Sequence, residues 1–111
     1  MTNLADQQCT PVKTSDGLLT AQQLEQYLNQ LGDLWLLDPH SPVICREFRF
    51  KDYYQTIAFV NKVADIIHQQ DHHPEIHISY NRCLIEFTTH SINNLSLNDF
   101  ICAAKINQIT H

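Results

Sequence analysis

Leu24, Tyr27, Leu28 and Leu31 recur at the i, i+3, i+4, i+7 spacing of one helical face, which predicts a helix over Ala21–Leu31. Thr20 stands at its N-cap with Gln23 three residues on, a capping-box pair, and Gly32 follows as a stop. Leu34–Leu37 is a short apolar run that reads as a strand, and Asp38-Pro-His-Ser-Pro42 reads as a turn or loop. From Val43 to Phe50 the chain alternates. Ile44, Arg46, Phe48 and Phe50 fall on one side and Cys45, Glu47 and Arg49 on the other, the period of a half-buried strand, with Arg46 the misfit on the apolar side. Asp52–Gln70 carries the strongest helical stripe: Ile57, Val60, Val63, Ala64 and Ile67, widened by Phe59 and Ile66. Pro74 ends it by forcing the preceding residue out of helical geometry.

Two further alternating runs follow. Ile76, Ile78 and Tyr80 are interleaved with His77 and Ser79; Cys83, Ile85 and Phe87 are interleaved with Leu84, Glu86 and Thr88. Asn81-Arg82 reads as the turn between them. Ser96 with Asp99 three residues later marks the start of a last helix, whose apolar side is Phe100, Ala103, Ala104 and Ile106 and which runs to about Ile109. The order α-β-β-α-β-β-α predicts an α+β domain: a four-stranded antiparallel sheet with helices packed on one face. Residues 1–16 read as a flexible N-terminal tail, and residues 17–111 as a single domain.

Composition narrows the function. A chain of 111 residues, 43% hydrophobic and 17% charged, has the length and balance of one globular domain. Its two glycines, Gly17 and Gly32, cannot build a glycine-rich phosphate loop. A net charge of −5 with no Lys/Arg run argues against nucleic acid or an anionic membrane as partner. Apolar runs such as Leu34–Leu37 are too short to span a bilayer, and residues 1–14 lack the apolar segment of a secretory signal. Cys9, Cys45, Cys83 and Cys102 form no CxxC pair. The expectation is a reduced, cytoplasmic protein without disulfides, and a Cys/His zinc site lacks its usual close pairs.

The chemistry concentrates in the histidines. Five of seven lie between positions 68 and 90: His68, His72, His73, His77 and His90. Imidazole is the side chain that exchanges protons near neutral pH. A turn centred between Asn81 and Arg82 sets His73 opposite His90, so His72, His73 and His90 are expected to meet at the open end of the hairpin. His72 and His73 also follow a helix C-terminus, whose partial negative charge favours imidazolium, and Asp71 adds a carboxylate in the same sense. This pattern suits general acid/base work. It also admits two other readings: metal binding, with His68 and His72 as an i, i+4 pair but no HExxH, or chance clustering. His77 has the parity of a strand's outer face and is given no role; His40 and His111 read as solvated, Tyr53 and Tyr54 as packing, and Asp99 on its own as a cap.

These residues resemble the signature of the pterin-4a-carbinolamine dehydratase family. The pattern reads His68-x3-His72-His73-Pro74-x5-Tyr80-x9-His90-x8-Asp99. Flanking runs also match: Phe48-Arg-Phe50-Lys-Asp-Tyr53, Asp71-His-His-Pro-Glu75, Thr89-His90 and Leu95-Ser-Leu-Asn-Asp99. The likeness covers roughly residues 17–109. It implies a β-β-α-β-β-α core with an added leading helix. It implies dehydration of 4a-hydroxytetrahydropterin to quinonoid dihydropterin, with neither metal nor cofactor, to recycle the pterin of aromatic amino-acid hydroxylation. By position, His72 and His90 would be the acid/base pair and His73 would hold and polarise the substrate. His68, Asp71, Pro74, Thr89 and Asp99 would bind substrate or support the site. It further implies functional coupling to a hydroxylase such as phenylalanine hydroxylase. Relatives that stabilise other proteins' oligomers, or that serve another pterin pathway such as molybdopterin metabolism, supply the alternatives. An exposed sheet edge and surplus apolar helix surface predict a homodimer or homotetramer. Three departures stand out: His68 where an acidic residue is frequent, Ile76 where an aromatic is, and Asn93-Asn94 where glycines are. Asn tolerates the left-handed backbone such a turn needs.

Overall fold

The computed structural model describes residues 3–13 and 17–110. Its first and last helices open with the same device. In α1 (Ala21–Leu31) the N3 side chain reaches back to the N-cap: Gln23 Oε1 accepts the Thr20 N–H at 3.0 Å, while Thr20 Oγ1 accepts the Gln23 N–H at 3.1 Å. Gly32, at φ +92°, ends the helix as expected. At the start of α3 (Leu97–Gln108), Asp99 Oδ2 accepts the Ser96 N–H at 2.9 Å. Asp52 caps α2 (Tyr53–Gln70), its Oδ1 accepting the Gln55 N–H.

Four strands, β1 (Leu36–Leu37), β2 (Ile44–Arg49), β3 (Glu75–Ser79) and β4 (Arg82–Phe87), form one antiparallel sheet in the order β1-β2-β4-β3. The α+β architecture is the one the hydrophobic pattern predicts. Ile44, Phe48, Cys83, Ile85 and Phe87 line the helix-covered face and pack with Trp35, Phe59, Val63, Ile67, Phe100 and Ile106. Arg46, the misfit on that face, is accommodated. Its guanidinium lies 4.4 Å from the Phe48 ring centre, and Nη1 donates to Asn107 Oδ1 at 2.6 Å. That oxygen also accepts from Trp35 Nε1.

Three expectations need correction. The β3–β4 turn is Tyr80-Asn81, not Asn81-Arg82: Ser79 pairs with Arg82 and Glu75 with Glu86. The buried stripe of α2 is Thr56, Phe59, Val63 and Ile67, rotated from the one drawn through Ile57 and Ala64. Thr56 causes the rotation: its hydroxyl reaches the carbonyls of Asp52 and Tyr80, so a polar residue can enter the core. Tyr53 and Tyr54, read as packing, are 51% and 83% exposed. Among the described residues, no helix is long and apolar enough to cross a membrane.

The segment read as a flexible tail, where described, lies along α3. Leu4 is buried and Lys105 Nζ donates to the Ala5 carbonyl at 2.7 Å. The Cys9 N–H reaches Gln70 Oε1, and Thr10 exchanges two hydrogen bonds with the Asn98 side chain. The expected boundary at residue 16 lies outside the described residues, as does His111.

Candidate active site at the open end of the hairpin

α2 stops at Gln70 because Asp71 takes a left-handed conformation (φ 52°, ψ 42°) and its N–H closes on the Ile67 carbonyl. Asp is among the few residues that adopt this conformation at modest cost. The chain thus turns out of the helix one residue before His72 and three before Pro74. Continued past its last pair, Glu75 with Glu86, the hairpin register sets His72 against Thr89 and His73 against Thr88. His90 lies one residue beyond.

His72 is the best-held imidazole among the described residues. Its ring stacks parallel to Phe87, 6.1 Å between centres and 4° between planes, and only 12% of its side chain is exposed. Nε2 lies 2.6 Å from Asp99 Oδ1. Asp99 itself is fully buried. Its second oxygen accepts from the Ser96 N–H at 2.9 Å and from the Thr89 hydroxyl at 2.8 Å. Thr89 has one proton to give, so the Ser96 hydroxyl, 2.7 Å away, donates to Thr89 in turn. A buried carboxylate survives only when its lone pairs are met, and here three donors meet them.

The electrostatics of His72 follow from this cradle. Burial disfavours the charged ring and is the largest single influence. The hydrogen bond to Asp99, the charge of that carboxylate and a weaker contribution from Cys9 together outweigh it, raising His72 above the ordinary imidazole value. Its other ring nitrogen, Nδ1, has no hydrogen-bond partner among the described residues. Nδ1 keeps contact with solvent, because Arg46 Nε is the one buried side-chain nitrogen or oxygen without a partner among the described residues. The arrangement anchors the inner nitrogen of the ring on a carboxylate that favours its protonated form and leaves the outer nitrogen open for proton exchange.

The neighbouring candidates are more open. His73 is 66% exposed along its side chain, with Nδ1 4.0 Å from Asp71 Oδ1. His90 is exposed and begins a short 3-10 turn, His90–Ile92, directly after Thr89. Asn93 closes that turn in the left-handed region at φ 49°, and Thr89 bridges to Asn94. Asn therefore does at this turn what glycine would do. His68 is exposed in the last turn of α2, Asp71 is exposed, and Pro74 is partly buried. So His72, Thr89 and Asp99 are directly bonded, and His73 and His90 each adjoin a member of that trio in sequence. No hydrogen bond or ring contact joins the three imidazoles among the described residues. Ser96, Phe87 and Cys9 belong to the site's surroundings and were missed. Ser96 read as a helix cap, Phe87 as plain core, and Cys9 sits in a stretch without periodicity.

Two other features lie elsewhere. His77, on the sheet face away from the helices, is 2.7 Å from Glu86 and 3.8 Å from Glu75; one ligand atom from each of the three falls within 4.8 Å of the others. A groove of about 520 Å³ lined by Arg46, Phe48, Phe50, Lys51, Gln55 and Thr110 opens toward the turn end of the sheet, and none of the candidate histidines lines it.

Comparison with known proteins agrees with this layout. The family model described as pterin 4 alpha carbinolamine dehydratase matches residues 17–109. A relative from Nitrosomonas eutropha named "Putative pterin-4-alpha-carbinolamine dehydratase" is 48% identical over 112 aligned positions, covering 98% of this chain and 97% of its own. One of the same name from Bdellovibrio bacteriovorus is 50% identical, covering 85% and 79%. Among solved structures, a transcriptional coactivator/pterin dehydratase from Brucella melitensis superposes with a TM-score of 0.78 at 33% identity, over 84% of this chain and 98% of that one. A pterin dehydratase-like RuBisCO assembly factor of the α-carboxysome shares the fold, with a TM-score of 0.60 at 21% identity over 71% and 92%.

Proposed function

The chain belongs to the pterin-4-alpha-carbinolamine dehydratase family, and on that premise we propose that it is a lyase that dehydrates 4a-hydroxytetrahydrobiopterin to quinonoid dihydropterin and water. The observation that carries this reading is the His72–Asp99 pair: a charge-assisted bond of 2.6 Å around a carboxylate with no exposed surface.

The reaction removes a hydroxyl from carbon 4a. The C–O bond breaks as a proton reaches the leaving oxygen. The adjacent ring nitrogen, N5, loses its proton, and its electrons close the C4a–N5 double bond. In our reading His72, held as imidazolium, delivers the first proton from Nδ1, while Asp99 steadies the charge until it leaves. His90 takes the second proton as general base. Such transfers by positioned groups are worth about 10²- to 10⁴-fold in rate. His73, exposed beside them, holds and polarises the pterin. Thr89 and Asp99 fix His72, while Pro74 and Asp71 shape the bend that presents it. His68 lies at the rim, where its charge tunes the pH optimum.

The proposal extends to setting. Pterin recycling would set the protein in the cytoplasm beside an aromatic amino-acid hydroxylase such as phenylalanine hydroxylase, whose turnover leaves the 4a-hydroxypterin that this lyase dehydrates. The uncovered edge of β3 and the exposed Tyr53 and Tyr54 on α2 favour a homodimer or homotetramer. The deciding assay generates 4a-hydroxypterin enzymatically and follows quinonoid dihydropterin by rapid-mixing absorbance. Acceleration over buffer that is lost in His72→Ala and His90→Ala supports the reading. Folded protein that leaves the buffer rate unchanged rejects it, and would point to an assembly role of the kind named for the α-carboxysome protein.

A further inference from the structure

Cys9 and Cys102 stand 93 positions apart in sequence, yet their sulfurs are 3.6 Å apart and share a hydrogen bond. Cys102 is fully buried on α3, three residues beyond Asp99. Cys9 is half-buried on the N-terminal segment, which passes between the end of α2 and the start of α3. Its N–H is held by Gln70, its Sγ lies 3.6 Å from the Asn98 carbonyl oxygen, and Thr10 beside it is tied to the Asn98 side chain. The remaining thiols, Cys45 and Cys83, have no sulfur partner.

We propose that Cys9 and Cys102 are a peroxide-responsive thiol pair, converting reversibly to a disulfide that fastens the N-terminal segment to the helix carrying Asp99. A disulfide requires sulfurs about 2.05 Å apart, so the two must close by about 1.5 Å. Cys9 lies outside any helix or strand, while Cys102 is fixed in a buried helix, so Cys9 makes the approach. The two thiols are unequal. The hydrogen bond from Cys102, helped by the charges of His72 and Lys105, outweighs burial and Asp99 and holds Cys9 below the ordinary thiol value. Cys102 is raised, first by its bond to Cys9 and then by burial.

The chemistry follows from that inequality. The Cys9 thiolate attacks one oxygen of hydrogen peroxide, the O–O bond breaks and hydroxide leaves; sulfur is oxidised to a sulfenic acid and the peroxide is reduced. Cys102 then attacks the Cys9 sulfur, and its proton leaves with the sulfenic hydroxyl as water. The net change is two thiols and one peroxide to one disulfide and two waters. A dithiol reverses it by exchange. Cytoplasmic disulfides, where they occur, are usually transient devices of this sort.

The test uses the full-length reduced protein and equimolar hydrogen peroxide, read by intact mass, non-reducing peptide mapping and thermal midpoint. The expected result is loss of two hydrogens, a crosslinked peptide containing Cys9 and Cys102, and a higher midpoint, all restored by dithiothreitol. Cys9→Ser should abolish the crosslink and Cys45→Ala should keep it. Cys102→Ala alters the core, so Cys9→Ser is the deciding variant. The proposal is overturned if Cys9 gains oxygen without crosslinking, if the mass loss survives in Cys9→Ser, if a covalent dimer forms instead, or if excess peroxide leaves the mass unchanged. None of these readouts depends on catalytic activity, so the outcome is separate from that of the dehydratase assay.

Discussion

Replacing Asp99 by Asn should reverse the sign of the contribution that His72 makes to the pH dependence of stability. Two opposed influences act on this imidazole. Burial, the larger, disfavours the charged ring; the hydrogen bond and charge of Asp99 favour it and prevail. His72 is therefore more basic in the folded chain than in the unfolded one, where about 6.5 applies. Its contribution is fully present below that pH and is lost as pH rises through the higher folded value, at no more than about 1.36 kcal/mol per pH unit for one proton. Asp99→Asn keeps a carbonyl oxygen for Ser96 and Thr89 but removes the charge. Burial then meets only the weaker contribution of Cys9, His72 becomes less basic folded than unfolded, and the same group now adds stability as pH rises.

The size of the effect follows from the geometry. At 2.6 Å, with side-chain exposures of 12% and 0%, solvent screens the pair little. A hydrogen bond to a charged group is worth about 1.5–3 kcal/mol. Asp99→Asn should cost about that much near pH 6, where His72 is charged in the parent protein, and less at about pH 8.5. Urea unfolding of both proteins at intervals across this range gives the difference profile. The other histidines are common to both proteins and subtract out. An NMR titration of the His72 ring supplies the direct check. Parallel stability profiles, or a His72 midpoint that fails to drop, would refute the reasoning.

Other outcomes can be checked with less effort. Thr89→Val removes one donor from Asp99 Oδ2 and the partner of the Ser96 hydroxyl, so it should cost about 1–3 kcal/mol in denaturant unfolding; a neutral result would mean the network is dispensable. Asn93→Ala puts a β-carbon into left-handed backbone at φ 49° and should cost about 1 kcal/mol, whereas Asn93→Gly should be near neutral. Equal midpoints for these two variants in thermal melts would contradict the turn assignment. His72→Ala and His90→Ala should each slow 4a-hydroxypterin dehydration by about 100-fold or more with circular dichroism unchanged. Unaltered turnover in either would remove its proposed role.

Much of this was legible in the residue pattern because local signals and tertiary demands coincide. Thr20/Gln23 and Ser96/Asp99 mark helix starts at the right positions, and strict alternation places Ile44, Phe48, Ile85 and Phe87 on the core face. What was misread depends on contacts that periodicity does not encode. Choosing between Tyr80-Asn81 and Asn81-Arg82 shifts the hairpin centre by one residue, and only the packing of β4 against β2 decides it. Thr56 enters the core because two distant carbonyls await its hydroxyl. On its own Asp99 read as a cap, and only the family signature gave it a supporting place in the site; it caps α3 with one oxygen and binds His72 with the other. Cys9 gave no signal at all, since neither a thiol partner 93 positions away nor a charge interaction with His72 leaves a local trace.

α3 is buried along most of its surface and touches nearly everything that matters. Asn98 and Lys105 hold the N-terminal segment, Asp99 grips His72, and Asn107 ties Trp35, Arg46 and the end of α1. It is also the last of the described elements to leave the ribosome. Until it emerges, the nascent chain holds a sheet whose apolar face is covered only in part, by α2, and an imidazole lacking its counter-charge. Completion of the fold and completion of the His72–Asp99 pair are therefore one event in biosynthesis, and a chain interrupted before Leu97 should be handed to quality control rather than persist as a half-active species.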